Sequence, residues 1–244
     1  MASQRFPGKM LESILGKSLI QRTYENTCLT KSLETVMVAT DHKVIYDHVK
    51  GFGGQVQMSS AACVSGTQRV AEVAKGLQGA EIVVNIQGDE PCLSPKVIDA
   101  LVSYLQAEPN APMATAMVRL DDPKEADNPS VVKCVVDSSS RALYFSRSKI
   151  PYAAKGQSVS YHRHIGVYAF RAPFLQEFAR LSATPLQISE DLEQLKILEH
   201  GYPIHVCLVE DDSIGVDTKE DLKKVEERLC KKNISLSPGA LSHP

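Results

Sequence analysis

Several features that would assign this chain to a common class are missing from it. No apolar run approaches the ~20 residues needed to cross a bilayer. Met1-Ala2-Ser3-Gln4-Arg5 leads straight into Phe6-Pro7-Gly8-Lys9, without the apolar stretch of a secretory leader. The formal net charge is only -2 over 244 residues. There is thus no basic field for a nucleic acid, and an anionic ligand has to be held by a few placed cations. Six cysteines are present, none in a C-x-x-C pair, which argues against a structural zinc site. Cys134 and Cys207 lie inside apolar runs, where buried free thiols are expected, and this usage fits a reducing compartment. No internal repeat is visible. The expectation is a soluble, cytoplasmic chain with no membrane segment.

The composition is 43% hydrophobic and 23% charged, enough for one large core or a core with a small annex. Thr35 to Thr40 and Ile82 to Ile86 read as continuous apolar strands of a parallel sheet covered on both faces. Val70, Val73, Ala74 and Leu77 between them have helical spacing, and Val97 to Leu105 reads as a second helix. This alternation predicts an α/β, Rossmann-like domain. Residues from about 110 to 170 change character. Met113 to Val118, Val131 to Val136, Leu143 to Phe145 and Gly166 to Phe170 read as strands, predicting an inserted antiparallel subdomain. Further on, Leu192, Leu195 and Leu198 predict a helix capped by Ser189, with Glu190 and Asp191 in its first turn. Ile204 to Val209 is a late strand, and Thr218 caps a last helix through Leu229. Residues 1–230 thus form one domain, and 231–244 are expected to be a flexible tail.

Five stretches can carry chemistry. Arg5 and Lys9 flank a Pro-Gly turn and can converge on a polyphosphate, unless the turn is simply exposed. Gln87-Gly88-Asp89-Glu90-Pro91 follows an apolar strand, and ligands of open α/β sheets bind at the carboxyl ends of strands. There Gly88 would let a ligand approach the backbone, Asp89 can hold Mg²⁺ against phosphate oxygens, and Gln87 can read a base edge. Asp217 is a candidate second carboxylate of that site, or part of a helix cap with Thr218. Ser65-Gly66-Thr67-Gln68-Arg69 opens a helix whose free N–H groups suit an anion or a base carbonyl, or merely a cap. His162 and His164 share one face of a strand; hydrogen bonding to a ligand is favoured over a zinc site, for want of a third ligand nearby.

Together with Val38-Ala39-Thr40-Asp41, Leu143-Tyr144-Phe145-Ser146-Arg147, His164-Ile165-Gly166-Val167-Tyr168, Leu192-Glu193-Gln194-Leu195 and Gly215-Val216-Asp217, these motifs resemble, in order and spacing, the 3-deoxy-manno-octulosonate cytidylyltransferase (CMP-Kdo synthetase) family. The resemblance runs from Ala2 to about Leu229. It implies a nucleotide-diphosphosugar transferase fold, with a mixed, mostly parallel sheet and an inserted subdomain for dimerisation and sugar binding. It also implies a homodimer, and CTP plus Kdo giving CMP-Kdo and pyrophosphate. Carried over by position, Arg5 and Lys9 bind the triphosphate; Ser65, Gly66 and Gln87 help recognise cytosine and ribose; Asp89 and Asp217 bind Mg²⁺. Arg147, His164, Tyr168, Glu190 and Gln194 are placed at the sugar. Two departures stand out. The apolar first strand ending in Pro-Ala-Arg that the family carries ahead of this region is missing, and Gln68 stands where Glu is expected. The alternatives are a CMP-sialate synthetase-like enzyme, or a non-catalytic nucleotide-binding homologue.

Overall fold

A computed structural model describes residues 6, 8–210 and 213–236. After a 3-10 turn at Lys9–Leu11, the chain forms a short hairpin of β1 (Ser13–Ile14) and β2 (Lys17–Ser18). Strands and helices then alternate: α1 (Leu19–Thr27), β3 (Val38–Thr40), α2 (Lys43–Gly51), β4 (Val56–Met58), α3 (Gly66–Ala74), β5 (Ile82–Ile86), α4 (Pro95–Ala107) and β6 (Met113–Arg119). Strands dominate the middle, with β7 (Lys133–Val136), β8 (Ala142–Ser146) and β9 (His162–Arg171). The chain closes with α5 (Ala172–Phe178), α6 (Pro185–Glu190), α7 (Leu195–Glu199), β10 (His205–Leu208) and α8 (Lys219–Leu236).

The main sheet is mixed and has six strands, with β9 at its centre. Along one edge β9 pairs antiparallel with β6, which in turn pairs parallel with β10. Its other edge is shared. Residues 167–171 pair with β5, while Arg163 pairs with Lys133 at the start of the β7–β8 hairpin. Strands β5, β6 and β10 therefore run in the same direction, and β9 joins this core to the antiparallel annex. On β6, Thr115 faces Tyr168 but the next residue, Ala116, faces Ile165. Gly166 and Val167 thus bulge from the β6 ladder, and such irregularities re-aim neighbouring side chains. Here the neighbours are His164 and Tyr168. Strands β3 and β4 form a separate parallel pair. Among the described residues, no strand joins β3 to β5, so the sheet is divided at that point, and β5 is only partly buried despite its apolar sequence.

Period-two alternation buries both faces of the main sheet. Met113 and Met117 of β6 pack with Phe145, Phe170, Phe174 and Phe178, whereas Ala114 and Ala116 turn to the opposite face beneath α4. Helix α4 presents Val97, Ile98, Leu101 and Leu105 to that face, all nearly or fully buried. Each contributes on the order of 1.5–3 kcal/mol by leaving water. Pro95 stands at the start of this helix, where its missing N–H costs nothing.

Three elements differ from the sequence expectation. No single helix runs from Ser189 through Leu198. Ser189 and Glu190 end α6, Asp191 adopts the left-handed region at φ 51°, and α7 starts at Leu195. The left-handed residue ends the first helix and separates two short ones. Helix α8 passes Leu229 and continues to Leu236, because its polar, strongly charged sequence still has good helix propensity; residues 237–244 of the expected tail lie outside the described residues. The strand expected over Thr35–Thr40 is confined to Val38–Thr40. No helix among the described residues is long and apolar enough to cross a membrane. All six cysteines are free thiols. Burial pushes Cys134 up to about 12 and Cys207 up to about 11, which leaves both as inert core groups.

Candidate active site

Lys9 joins the loop after β5 to the segment before α8. Its Nζ donates to Asp89 Oδ2 at 2.6 Å, to the Val216 carbonyl at 2.8 Å and to Asp217 Oδ1 at 3.2 Å. The two segments are also joined directly, since Val216 N–H donates to the Asp89 carbonyl at 2.9 Å. Burial alone would lower the pKa of Lys9, but the carboxylates of Asp89 and Asp217 outweigh it and hold the ammonium above its ordinary value. Asp89 and Asp217, 128 positions apart in sequence, thus face one positive charge. Arg5 lies outside the described residues. Among the described residues no group of three or more His, Cys, Asp or Glu gathers, so a divalent ion here would have two carboxylates and draw its other ligands from substrate and water. Thr218 caps α8 reciprocally with Asp221, and Asp217 N–H joins that cap at 3.3 Å while its carboxylate accepts from Lys9.

The start of α3 borders this region. Ser65 caps the helix through Gln68 N–H at 3.2 Å, and a side chain placed on Gly66 would stand 3.8 Å from the Gln87 amide. The two predicted base-side positions, Gly66 and Gln87, are therefore neighbours, and both are exposed. Gly88 is also closely packed: a Cβ there would lie 3.1 Å from Ile20 Cδ1 and from Met10 Sδ, so a larger residue would push these side chains aside. Gln68, the departure from the family pattern, uses both ends of its amide: Oε1 accepts from Val64 N–H at 3.0 Å and Nε2 donates to the Ala179 carbonyl at 3.2 Å. A glutamate could make only the first bond.

The five sugar-side candidates fall into two groups. Glu190 accepts from Ser146 Oγ at 2.6 Å and from Arg147 N–H at 2.9 Å, while its carbonyl takes Arg147 Nε–H at 2.7 Å. The Arg147 terminal nitrogens reach the Pro129 and Asp191 carbonyls, both at 3.2 Å. Of five guanidinium N–H groups, one on each terminal nitrogen makes no hydrogen bond among the described residues, and Nη2 also lies 3.9 Å from the Asp191 carboxylate. In the second group, His164 Nε2 meets Thr115 Oγ1 at 2.9 Å, and the Tyr168 hydroxyl donates to Gln194 Oε1 at 3.1 Å. The His164 and Tyr168 rings lie 5.5 Å apart. Burial pushes His164 down to about 3, so it is a neutral hydrogen-bonding group whose Nε2 is engaged by Thr115. Burial likewise raises Tyr168 well above the usual phenol range.

Glu193 of the Leu192-Glu193-Gln194-Leu195 motif joins the start of α3 to the segment before α7. Its carboxylate accepts from Ser65 Oγ at 2.7 Å and from Thr67 Oγ1 at 2.6 Å, and Thr67 in turn accepts from Asn85 Nδ2 at 3.2 Å. Thr67, Tyr168, Glu193 and Gln194 pack around one closed gap together with Phe170, Phe178 and Ile197. The signal available in the sequence was the carboxylate beside Gln194; its partners are more than 120 positions away.

A divided α/β sheet thus carries a Lys–Asp–Asp cluster beyond the carboxyl end of β5 and near the start of α3, the place where ligands of open α/β sheets bind. Residues 1–211 match the family model described as Cytidylyltransferase, and the chain belongs to that family. It is 50% identical over 241 residues to the 3-deoxy-manno-octulosonate cytidylyltransferase of Protochlamydia amoebophila, covering 96% of this chain and 93% of that one. It is 52% identical over 228 residues to the enzyme of the same name from Chlamydia abortus, covering 93% and 89%. Among solved structures it is similar to CMP:2-keto-3-deoxy-manno-octonic acid synthetase complexed with CTP, with a TM-score of 0.89 and 37% identity over 94% of this chain and 95% of that one. HddC from Yersinia pseudotuberculosis shares the fold alone, at a TM-score of 0.65 and 14% identity.

Proposed function

We propose that the chain transfers CMP from CTP to 3-deoxy-manno-octulosonate, giving CMP-Kdo and pyrophosphate. The observation that carries this reading is the convergence of Asp89 and Asp217 on one cation, near the start of α3. The relatives at about half identity bear the name of this activity over nearly their whole length.

The anomeric hydroxyl of the sugar attacks the α-phosphorus of CTP. A new P–O bond forms, the bond to the β-phosphate breaks, and pyrophosphate leaves with the electron pair as the hydroxyl loses its proton. Such a reaction depends on positioning and charge neutralisation and needs no covalent enzyme intermediate. Lys9, with Arg5, neutralises the triphosphate. Ser65, Gly66 and Gln87 meet the cytidine, Ser65 being held by Glu193. Arg147, braced by Glu190, meets the sugar carboxylate, and neutral His164, Tyr168 and Gln194 orient its hydroxyls. Mg²⁺ fits the Asp89–Asp217 pair, because it is commonly held by one or two carboxylates plus substrate phosphates. Bound there, it would supply charge neutralisation at the phosphate oxygens and make the attacking hydroxyl easier to deprotonate.

The same reading makes the chain a cytoplasmic homodimer. The cytoplasmic setting is supported by six free thiols, and the dimer by the edge position of β8 and the exposed Leu143 on it. The site assignment is tested by Asp89→Asn and Asp217→Asn. Each is expected to lower turnover by about 10²–10³-fold, on the scale of losing one transition-state electrostatic contact, while the circular dichroism spectrum stays unchanged. Normal turnover in either variant would remove that residue from the metal site.

A further inference from the structure

We infer that Lys9 is a stand-in for the divalent cation: its ammonium holds the oxygens that the metal needs, so metal binds well only when CTP draws the ammonium away. The inference rests on reading Asp89 and Asp217 as the metal pair.

The geometry is that of an occupied cation site. One Nζ is surrounded by Asp89 Oδ2, the Val216 carbonyl and Asp217 Oδ1 at 2.6, 2.8 and 3.2 Å. These are hard oxygen ligands of the kind Mg²⁺ selects. The Lys9 side chain is only 8% exposed, whereas Asp217 is 57% exposed. The ammonium thus plugs the inner end of the site while the outer carboxylate faces solvent. A second cation on these same oxygens would lie at contact distance from the ammonium, and the repulsion in a partly buried setting disfavours it. A lysine suits this exchange, having a compact charge on a flexible four-carbon stem. Its backbone anchor is the 3-10 turn that follows Gly8 at φ 75°.

What moves the ammonium is the nucleotide. A triphosphate brought beside Lys9 offers more negative charge than the two carboxylates. Once the ammonium turns to the phosphates, the carboxylates are left for the metal, and the phosphates add further ligands. Metal and CTP are then coupled, each strengthening the other by the same factor. This follows from the exchange of one ammonium and needs no movement of the sheet.

The test is Mn²⁺ binding to the full chain, followed by electron paramagnetic resonance, with and without CTP. Wild type should bind Mn²⁺ weakly alone and much more tightly with CTP. Lys9→Met should bind Mn²⁺ alone about tenfold more tightly than wild type, roughly the gain expected when a competing charge contact is removed, and the further gain from CTP should shrink. Thermal melting guards against a poorly folded variant: Mn²⁺ should raise the melting temperature of Lys9→Met more than that of wild type, because it replaces the missing charge. Adding Asp217→Asn to Lys9→Met should abolish both effects. Equal Mn²⁺ affinity of wild type and Lys9→Met, with both weakened by Asp89→Asn, would overturn the stand-in role and leave the metal pair intact. Mn²⁺ binding that ignores Asp89→Asn and Asp217→Asn, with or without CTP, would overturn both.

Discussion

The Glu193 carboxylate accepts a 2.6 Å hydrogen bond from Thr67 Oγ1, across 126 positions of chain. Its other oxygen takes Ser65 Oγ at 2.7 Å. One acid thereby fastens the start of α3, on the nucleotide side, to the segment that carries Gln194 on the sugar side. In Glu193→Gln the charge is lost and one hydroxyl loses its acceptor. Charge-assisted bonds contribute about 1.5–3 kcal/mol, so the KM values for CTP and for the sugar should both rise by about tenfold or more. Steady-state kinetics in each substrate checks this, and a rise for only one of them would show that the bridge does not join the two sides.

Glu190 should behave differently, because its partners are Ser146 and Arg147 and lie on the sugar side alone. Glu190→Ala releases the backbone and hydroxyl contacts that seat Arg147. The expected result is a KM for the sugar acid raised by about tenfold or more, from the loss of two charge-assisted bonds, with the KM for CTP unchanged. An equal change in both constants would contradict the assignment of Arg147 to the sugar.

Lys133 is fully buried in β7, and its ammonium donates to the carbonyls of Asn128, Val131 and Arg147 at 3.0, 2.6 and 2.5 Å. Burial lowers its pKa, but the three carbonyls use all three of its protons. It ties the 128–131 turn to the strand end bearing Arg147. Lys133→Met keeps the volume and strands three acceptors. Stability should fall by about 3 kcal/mol, the lower end for three unsatisfied groups. Urea denaturation measures it, and an unchanged midpoint would mean that water replaces the ammonium.

His164 gives the fold a pH dependence of known sign. Its folded value is pushed down to about 3 by burial, against about 6.5 in an unfolded chain. Between those values the unfolded chain binds more protons, so stability rises with pH. The contribution is complete above about pH 6.5 and is lost as pH falls toward the folded value. From pH 7 to pH 5 it amounts to about 2 kcal/mol. His164→Gln should therefore lose less stability than wild type over that interval, measured by urea denaturation at both pH values. Equal losses would mean that the imidazole takes up its proton in the folded state.

The parts legible in the sequence were those written locally. Ile82 to Ile86 is continuous and apolar, and forms the strand that was expected. Ser65 stands before a helical repeat and caps α3. The family pattern placed Asp89 and Asp217 together, and they meet on Lys9. Long-range exchanges were not legible. Periodicity around Leu192 and Leu195 resembled one helix, because a left-handed residue at Asp191 leaves no mark in a hydrophobic pattern. The packing of Gly88 against Ile20 and Met10 was not legible, nor was the role of Glu193, whose hydroxyl partners lie far away in the chain. Pairing β9 with both β5 and β7 likewise needed the fold, since no local signal shows that a single strand serves two neighbours.

The most direct test of the central claim is pyrophosphate release from CTP and Mg²⁺ by this chain, with 3-deoxy-manno-octulosonate and, separately, with a sialic acid. Release that depends on 3-deoxy-manno-octulosonate, is at least tenfold slower with the sialic acid and is lost in Asp89→Asn is the predicted result, on the scale of a substrate-acid contact made or missed. Release that proceeds equally with the sialic acid, or no release with either sugar from a folded protein that binds CTP, would contradict it.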